Sequence, residues 1–169
     1  MPLTYRGLLV HLLLVLACTV AVAPARAVRA GDDDDLAMLE RIALEGVNAE
    51  RQAAGLPPLV PSNELTRLAR AYSRDMAERR YFSHSDPEGR RVVDRTTMAG
   101  IPWRNVGENI ARNRGFKDPA GVAVREWMKS EGHRGIILDS RYDETGIGAW
   151  VGPDRTVYFT QIFIKRSKT

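Results

Sequence analysis

The sequence predicts one α+β domain, because helical patterns fill most of the chain and strand patterns close it. From Leu36 onward, apolar side chains recur at three- and four-residue intervals, as on the buried face of a helix. After Thr145 they recur at every second position, in two runs joined by a turn. Helices followed by an antiparallel sheet is the order of an α+β domain, and no internal repeat marks a second domain.

Residues 1–30 are predicted to be a signal peptide and leader, which leaves residues 31–169 as a single domain. Arg6 provides a positive start, Leu8 to Val22 is almost continuously apolar, and Ala25-Arg26-Ala27 has the small-x-small pattern of a cleavage site. The apolar stretch is short for a membrane span, so no transmembrane anchor is expected.

A second interpretation of the leader is a bacterial lipobox, Val15-Leu16-Ala17-Cys18, with Cys18 as the lipidated residue. Both interpretations predict export, so the expected location is secreted, periplasmic or extracellular, or anchored through Cys18. Because Cys18 is the only cysteine, disulfides cannot stabilise the exported domain. Its stability must come from packing.

The first two helices have clear signals at their ends. Apolar spacing from Leu36 to Val47 predicts the first helix, which follows an acidic run at Asp32 to Asp35. Gly55 is the signal for the end of this helix. Ser62 is a plausible N-cap for the second, whose apolar face runs from Leu65 to Ala77.

Shorter elements fill the middle of the chain. Val92 to Ala99 is predicted to be a short helix ended by Gly100, and Val106 to Ala111 a strand. Asp118-Pro119 is a strong helix start, and that helix is expected to run past Trp127 to Gly132.

The end of the chain is predicted to be a hairpin. Thr145 to Val151 and Thr156 to Ile164 have the pattern of strands, and Gly152 to Arg155 has that of the connecting turn.

Composition gives no support to nucleic-acid binding or to nucleophilic catalysis. The formal net charge is only +4, and the arginines between Arg67 and Arg80 alternate with acidic residues, as on a solvated helix face. The domain has no Gly-x-Ser-x-Gly motif and no cysteine.

Two short polar islands contain His84 and Glu108. His84 is interpreted either as a metal ligand or general base, or as a loop histidine bound to nearby backbone. Glu108 lies in a segment that otherwise looks buried, so it requires a cation, a metal ion or several donors as partner. The alternative is a structural carboxylate that accepts backbone N–H bonds.

A third island, Ser130-Glu131-Gly132-His133-Arg134, follows the Trp127 helix. His133 either caps the end of that helix or is turned into a groove by a bend at Gly132. Glu131 would then orient His133 or serve as a third ligand. Two histidines with one or two carboxylates suit zinc or a similar divalent ion, with His84 and His133 as ligands.

These islands, in this order, resemble the CAP superfamily (the SCP/pathogenesis-related domain) in its bacterial secreted branch, over about Leu36 to Ile164. The segments that carry the resemblance are Asn48-x-x-Arg51, Phe82-Ser83-His84, Gly107-Glu108-Asn109-Ile110, Trp127-Met128-x-Ser130-x-Gly132-His133-Arg134, Gly146-Ile147-Gly148 and Phe159-Thr160-Gln161.

The resemblance implies a three-layer α-β-α sandwich with a central antiparallel sheet and a groove lined by histidine and glutamate. It places the family's first histidine at His84 and its Gly-Glu-Asn glutamate at Glu108. The second histidine of eukaryotic relatives falls on Tyr158, and the second glutamate is expected at Ser130 or Glu131. Gln161 is expected either to reach toward the same groove or to satisfy a core backbone group.

The leading functional prediction is a binding or signalling module that acts through this groove, either with a divalent metal such as zinc or with no cofactor. Its ligand would be an unknown envelope or extracellular molecule. One alternative is a metal-assisted hydrolase of envelope peptides or glycans, with Glu108 as general base. A lipid-binding carrier is the other alternative.

Overall fold

The computed structural model describes residues 33–167, so the predicted signal peptide and the lipobox lie outside the described part. Within that part the chain forms five helices and four strands. In chain order they are α1 (Asp33–Ala53), β1 (Val60–Pro61), α2 (Asn63–Glu78), α3 (Val92–Met98), β2 (Asn105–Asn113), α4 (Pro119–Lys129), α5 (Glu131–Ile137), β3 (Glu144–Val151) and β4 (Val157–Lys165).

The sheet has the strand order β1-β3-β4-β2. Its three long strands are antiparallel, as predicted, with Glu108 opposite Ile162 and Gly148 opposite Thr160. The two-residue strand β1 pairs in parallel with the start of β3, so the sheet as a whole is mixed. The sequence did not predict β1, because it is very short and lies in a proline-rich connector.

Helices cover both faces of the sheet, which confirms the three-layer prediction. On one face, α2 contributes Leu65 and Ala69 to a cluster with Ile162 and Ile164 of β4. On the other face α1, α4 and α5 form the larger core, which contains the completely buried ring of Trp127.

The helix around Trp127 is interrupted where the sequence predicted continuity. α4 ends at Lys129, and Ser130 has extended backbone angles of φ −87° and ψ 121°. α5 starts directly afterwards, so His133 lies in the first turn of a separate helix. Its predicted alternative role as a cap at the end of the Trp127 helix is therefore wrong, and the bend occurs at Ser130 instead of Gly132.

A buried arginine fastens α5 to α1. Arg51 is completely buried and has no carboxylate hydrogen-bond partner within residues 33–167. Its guanidinium donates to the carbonyls of Pro57 at 3.0 Å, Ile137 at 2.6 Å, Asp139 at 3.1 Å and Tyr142 at 3.3 Å. Four carbonyl dipoles thus solvate the charge, and the last turn of α5 is held in a fixed position.

Helix α2 lies so close to β3 that its contact surface admits only glycine. A Cβ atom added at Gly148 would lie 1.9 Å from the backbone nitrogen of Arg70, and one at Gly146 would lie 2.2 Å from that of Thr66. Both clashes involve helix backbone, which a side-chain rearrangement cannot relieve.

We expect Gly148→Ala to lower the free energy of unfolding by about 3 kcal/mol, because α2 must move away from the sheet. Gly135→Ala is the matched control, since its new Cβ meets no atom within 4 Å. That control should gain about 0.5 kcal/mol from better helix propensity. Urea denaturation of both variants measures the difference, and equal stability of Gly148→Ala and wild type would contradict the close approach.

Candidate functional site

Histidines from the two faces of the sheet meet beside the edge strand β2. His84 lies on the loop between α2 and α3, whereas His133 lies on α5. Their ring centroids are 6.3 Å apart. The structure therefore brings together two of the predicted residues that lie far apart in the sequence.

Glu108 on β2 orients His84. Its carboxylate is almost fully buried, and Oε1 lies 2.9 Å from Nδ1 of His84. Because an ionised carboxylate only accepts hydrogen bonds, a neutral His84 ring would carry its proton on Nδ1 and keep the lone pair on Nε2. This is the arrangement that holds a metal-binding or proton-accepting imidazole in one orientation.

Arg95 on α3 is the cationic partner that buried Glu108 requires. Its Nη2 donates to Glu108 Oε2, and its side chain is only 9% exposed. The guanidinium also lies over the ring of Tyr72, 3.4 Å from the centroid. Sequence reasoning predicted the need for a partner but did not identify Arg95. Many arginines surround it in the sequence, and only the fold selects one.

The loop that carries His84 is held at several points. The hydroxyl of Tyr72 donates to the carbonyl of Ser83 at 2.7 Å, and Arg95 Nη1 donates to the carbonyl of Arg90 at 2.9 Å. Burial tends to raise the pKa of Asp86, but hydrogen bonds from Arg90 outweigh it and lower that pKa. Charge and hydrogen bonding thus fix the loop on both sides of His84.

His133 is held by its backbone, and its surroundings favour the neutral form of its ring. Asn109 on β2 donates from Nδ2 to the carbonyl of His133 at 3.2 Å. Burial lowers the pKa of His133, and the nearby His84 lowers it further. A neutral imidazole has a lone pair that can accept a proton or bind a metal ion.

Three other predicted residues lie away from the imidazoles. Glu131 is exposed and lines a different hollow beside Met128 and Leu138. Gln161 is completely buried in the core and donates to Thr145 Oγ1 at 3.1 Å, so it does not line the groove. Tyr158 packs in the wall beyond the site, with its ring 6.5 Å from that of Phe82.

A hollow of about 510 Å³ opens beside His84 and Glu108. Residues of α3, β2 and α5 line it, namely Arg91, Val92, Val93, Asp94, Val106, Gly107 and Ile136. Its wall combines apolar side chains with charged ones, as in many ligand pockets.

The two imidazoles, with ring centroids 6.3 Å apart, are the side chains here that could hold a metal ion, and Glu108 lies behind His84 as an orienting group. Residues 33–167 contain no group of three or more histidine, cysteine, aspartate or glutamate side chains arranged to hold an ion. Any bound ion would therefore take its remaining ligands from water or from a bound molecule.

We expect Arg95→Met to lower the free energy of unfolding by about 3–5 kcal/mol, because it leaves Glu108 buried without a cation. The double variant Arg95→Met/Glu108→Gln should recover part of this loss, since its buried side chains are neutral. Arg79→Met, which breaks an exposed pair with Glu88, is the control and should cost much less. Urea denaturation measures the free energy of unfolding of the wild type and of these three variants. A double variant no more stable than Arg95→Met would contradict the charge argument.

Sequence comparison identifies the family. The profile of CAP, the Cysteine-rich secretory protein family, matches residues 44–163. Two Bacillus subtilis proteins are each 38% identical to this chain. "Uncharacterized protein YkwD" aligns over 77% of this chain and 51% of its own length. "Uncharacterized membrane protein YlbC" aligns over 75% of this chain and 34% of its own length. The chain thus spans about half or less of these relatives.

Structural comparison agrees with the profile. The crystal structure of an extracellular protein containing a SCP domain from Bacillus anthracis superposes with a TM-score of 0.67 and 29% identity. The match covers 78% of this chain and 41% of that one. Among residues 33–167, no helix is both long and apolar enough to cross a membrane. The fold, the profile match and the similarity to these bacterial proteins show that the chain belongs to the CAP family.

Proposed function

We propose that this chain is an exported CAP domain that works as a binding module through the groove at His84, Glu108 and His133. The observation that carries the proposal is the buried chain of contacts from Arg95 through Glu108 to His84. It holds one imidazole in a fixed orientation, with its ring centroid 6.3 Å from that of a second imidazole whose pKa is lowered by burial. Export is supported by the signal-peptide pattern and by the extracellular relative.

We further propose that the two imidazoles hold a divalent metal ion such as zinc. Neutral imidazole nitrogens are common zinc ligands, and a carboxylate behind one of them strengthens its basicity. With two protein ligands, the ion would keep open positions toward the hollow of about 510 Å³. A carboxylate or carbonyl of an envelope or extracellular ligand could complete the coordination there.

The hydrolase alternative has less support. Its general base was predicted to be Glu108, but both oxygens of that carboxylate already accept hydrogen bonds, from His84 and from Arg95. Neither oxygen therefore has the position of a base that contacts a water molecule directly. The lipid-carrier alternative stays a prediction; an open hollow of about 320 Å³ between α2 and α3, beside Leu68 and Met98, is one place for an apolar ligand.

We expect the processed protein to bind Zn²⁺ at one site per chain, and to lose that site in His84→Ala and in His133→Ala. Glu108→Gln should weaken binding by about tenfold to a hundredfold, because it removes charge behind His84 without removing a ligand. Titration calorimetry with Zn²⁺, checked by the visible spectrum of Co²⁺, measures these affinities.

Glu131→Gln is the matched control, since Glu131 is an exposed carboxylate on the same helix as His133. It should bind like the wild type. Circular dichroism must show that each variant is folded. Unchanged Zn²⁺ affinity in folded His84→Ala or His133→Ala would exclude a metal site at the two imidazoles.

A further inference from the structure

We propose that the loop between β2 and α4, together with the tip of the β3–β4 hairpin, docks on an anionic phospholipid surface. The loop displays an aromatic ring, and cations from both segments surround it. This surface lies at the opposite end of β2 from the imidazole site. It extends the proposed function by placing the exported domain at a membrane.

Phe116 at the centre of this loop is held out toward solvent. Its ring is 56% exposed, which makes it the most exposed aromatic side chain among residues 33–167. Gly115 before it has a φ of 84°, a left-handed conformation that favours glycine. Amphipathic or aromatic side chains displayed in this way are typical of protein surfaces that enter the lipid headgroup region.

The ends of the loop are fixed, so the display of Phe116 is a property of the fold. Asn113 donates from Nδ2 to the carbonyl of Pro119 at 2.8 Å and closes the loop across its base. Asp118 accepts from the backbone nitrogen of Gly121 at 2.8 Å and caps α4. A fixed loop loses little conformational entropy when its tip is buried in a partner.

Positive charge surrounds this ring. Arg114, Lys117 and Arg155 line one hollow of about 490 Å³, and Asp154 is the only carboxylate in its wall. Asp154 lies 3.5 Å from Arg114, and the neighbouring Asp118 lies 3.6 Å from Arg125. Within residues 33–167, Lys117 and Arg155 form no salt bridge.

The apolar part of the hollow favours a lipid surface over a soluble polyanion. The wall between the cations is built from Leu39, Phe116, Pro119, Val151 and Val157. A hydrated polyanion makes no favourable contact with these apolar side chains. In a lipid headgroup region, phosphates can contact the cations and acyl chains can contact the ring of Phe116.

Docking there would leave the imidazole site accessible. Glu108 and Asn113 are five positions apart on β2, which corresponds to about 17 Å of strand. The hollow beside His84 shares no lining residue with the hollow beside Phe116. Membrane docking and groove binding can therefore be tested separately in the same protein.

The test is co-sedimentation of the processed protein with vesicles. The protein is recovered after export from a bacterial host, and its N-terminus is sequenced to show that the leader is absent. Vesicles of pure phosphatidylcholine are compared with vesicles that also contain phosphatidylglycerol. We expect binding to the phosphatidylglycerol vesicles that weakens as salt is added.

Phe116→Ala should reduce the partition coefficient by about tenfold, as expected for losing burial of half a ring. Arg114→Gln/Lys117→Gln should reduce it by about 25-fold, or fivefold for each cation. The controls remove equally exposed groups elsewhere: Val60→Ala, which is 59% exposed, and Arg67→Gln/Arg104→Gln. They should bind nearly as the wild type does.

The proposal is overturned if wild type binds both kinds of vesicle equally, or if Phe116→Ala binds as wild type does. It is also overturned if soluble polyglutamate competes fully and the loss of Phe116 has no effect, which would indicate a polyanion site. Zn²⁺ titration of Phe116→Ala separates this proposal from the metal site. Unchanged zinc affinity with lost vesicle binding is the expected result.

Discussion

The position of α5, and with it that of His133, depends on one buried cation, Arg51. Burial lowers the pKa of Arg51, and the nearby Asp139 partly opposes this shift. The fold accepts a desolvated charge here because carbonyls from three separate segments solvate it. Two of these carbonyls belong to the end of α5 and to the turn after it, so Arg51 fixes the helix that carries His133. The Asn48-x-x-Arg51 motif on the first helix thus helps to position His133, which lies some eighty residues later in the sequence.

A second buried arginine fixes the other imidazole. Arg95 neutralises Glu108, and Glu108 in turn holds Nδ1 of His84. The two arginines act in different ways. Arg51 donates to backbone carbonyls and holds α5 in position, whereas Arg95 donates to the carboxylate of Glu108 and compensates its negative charge. Because β2 is an edge strand, residues from both faces of the sheet can reach its side. This explains why His84 and His133, which come from opposite layers, lie beside the same strand.

Local patterns predicted most of the elements, since the N-cap at Ser62, the Asp118-Pro119 start and the terminal hairpin are signals that short segments carry alone. The break at Ser130 did have a local signal that was missed: no apolar residue lies between Met128 and Ile136, and Ser130, a favoured N-cap residue, is the N-cap of α5. The site is a different case. A buried glutamate demands a cation, but sequence cannot tell which arginine the fold brings near. For Gln161 two positions were predicted, the groove or the core, and its hydrogen bond to Thr145 places it in the core.

The substitution of the family's second histidine by Tyr158 has a structural counterpart. The resemblance places the second histidine of eukaryotic relatives at Tyr158. Here Tyr158 is buried in a cluster with Ile110 and Tyr72, and its ring lies beside that of Phe82. The second imidazole comes instead from α5, on the opposite layer. Neither Tyr158 nor its strand contributes an imidazole to a two-histidine site of this kind. Such a site therefore depends on the position of α5, and so on Arg51.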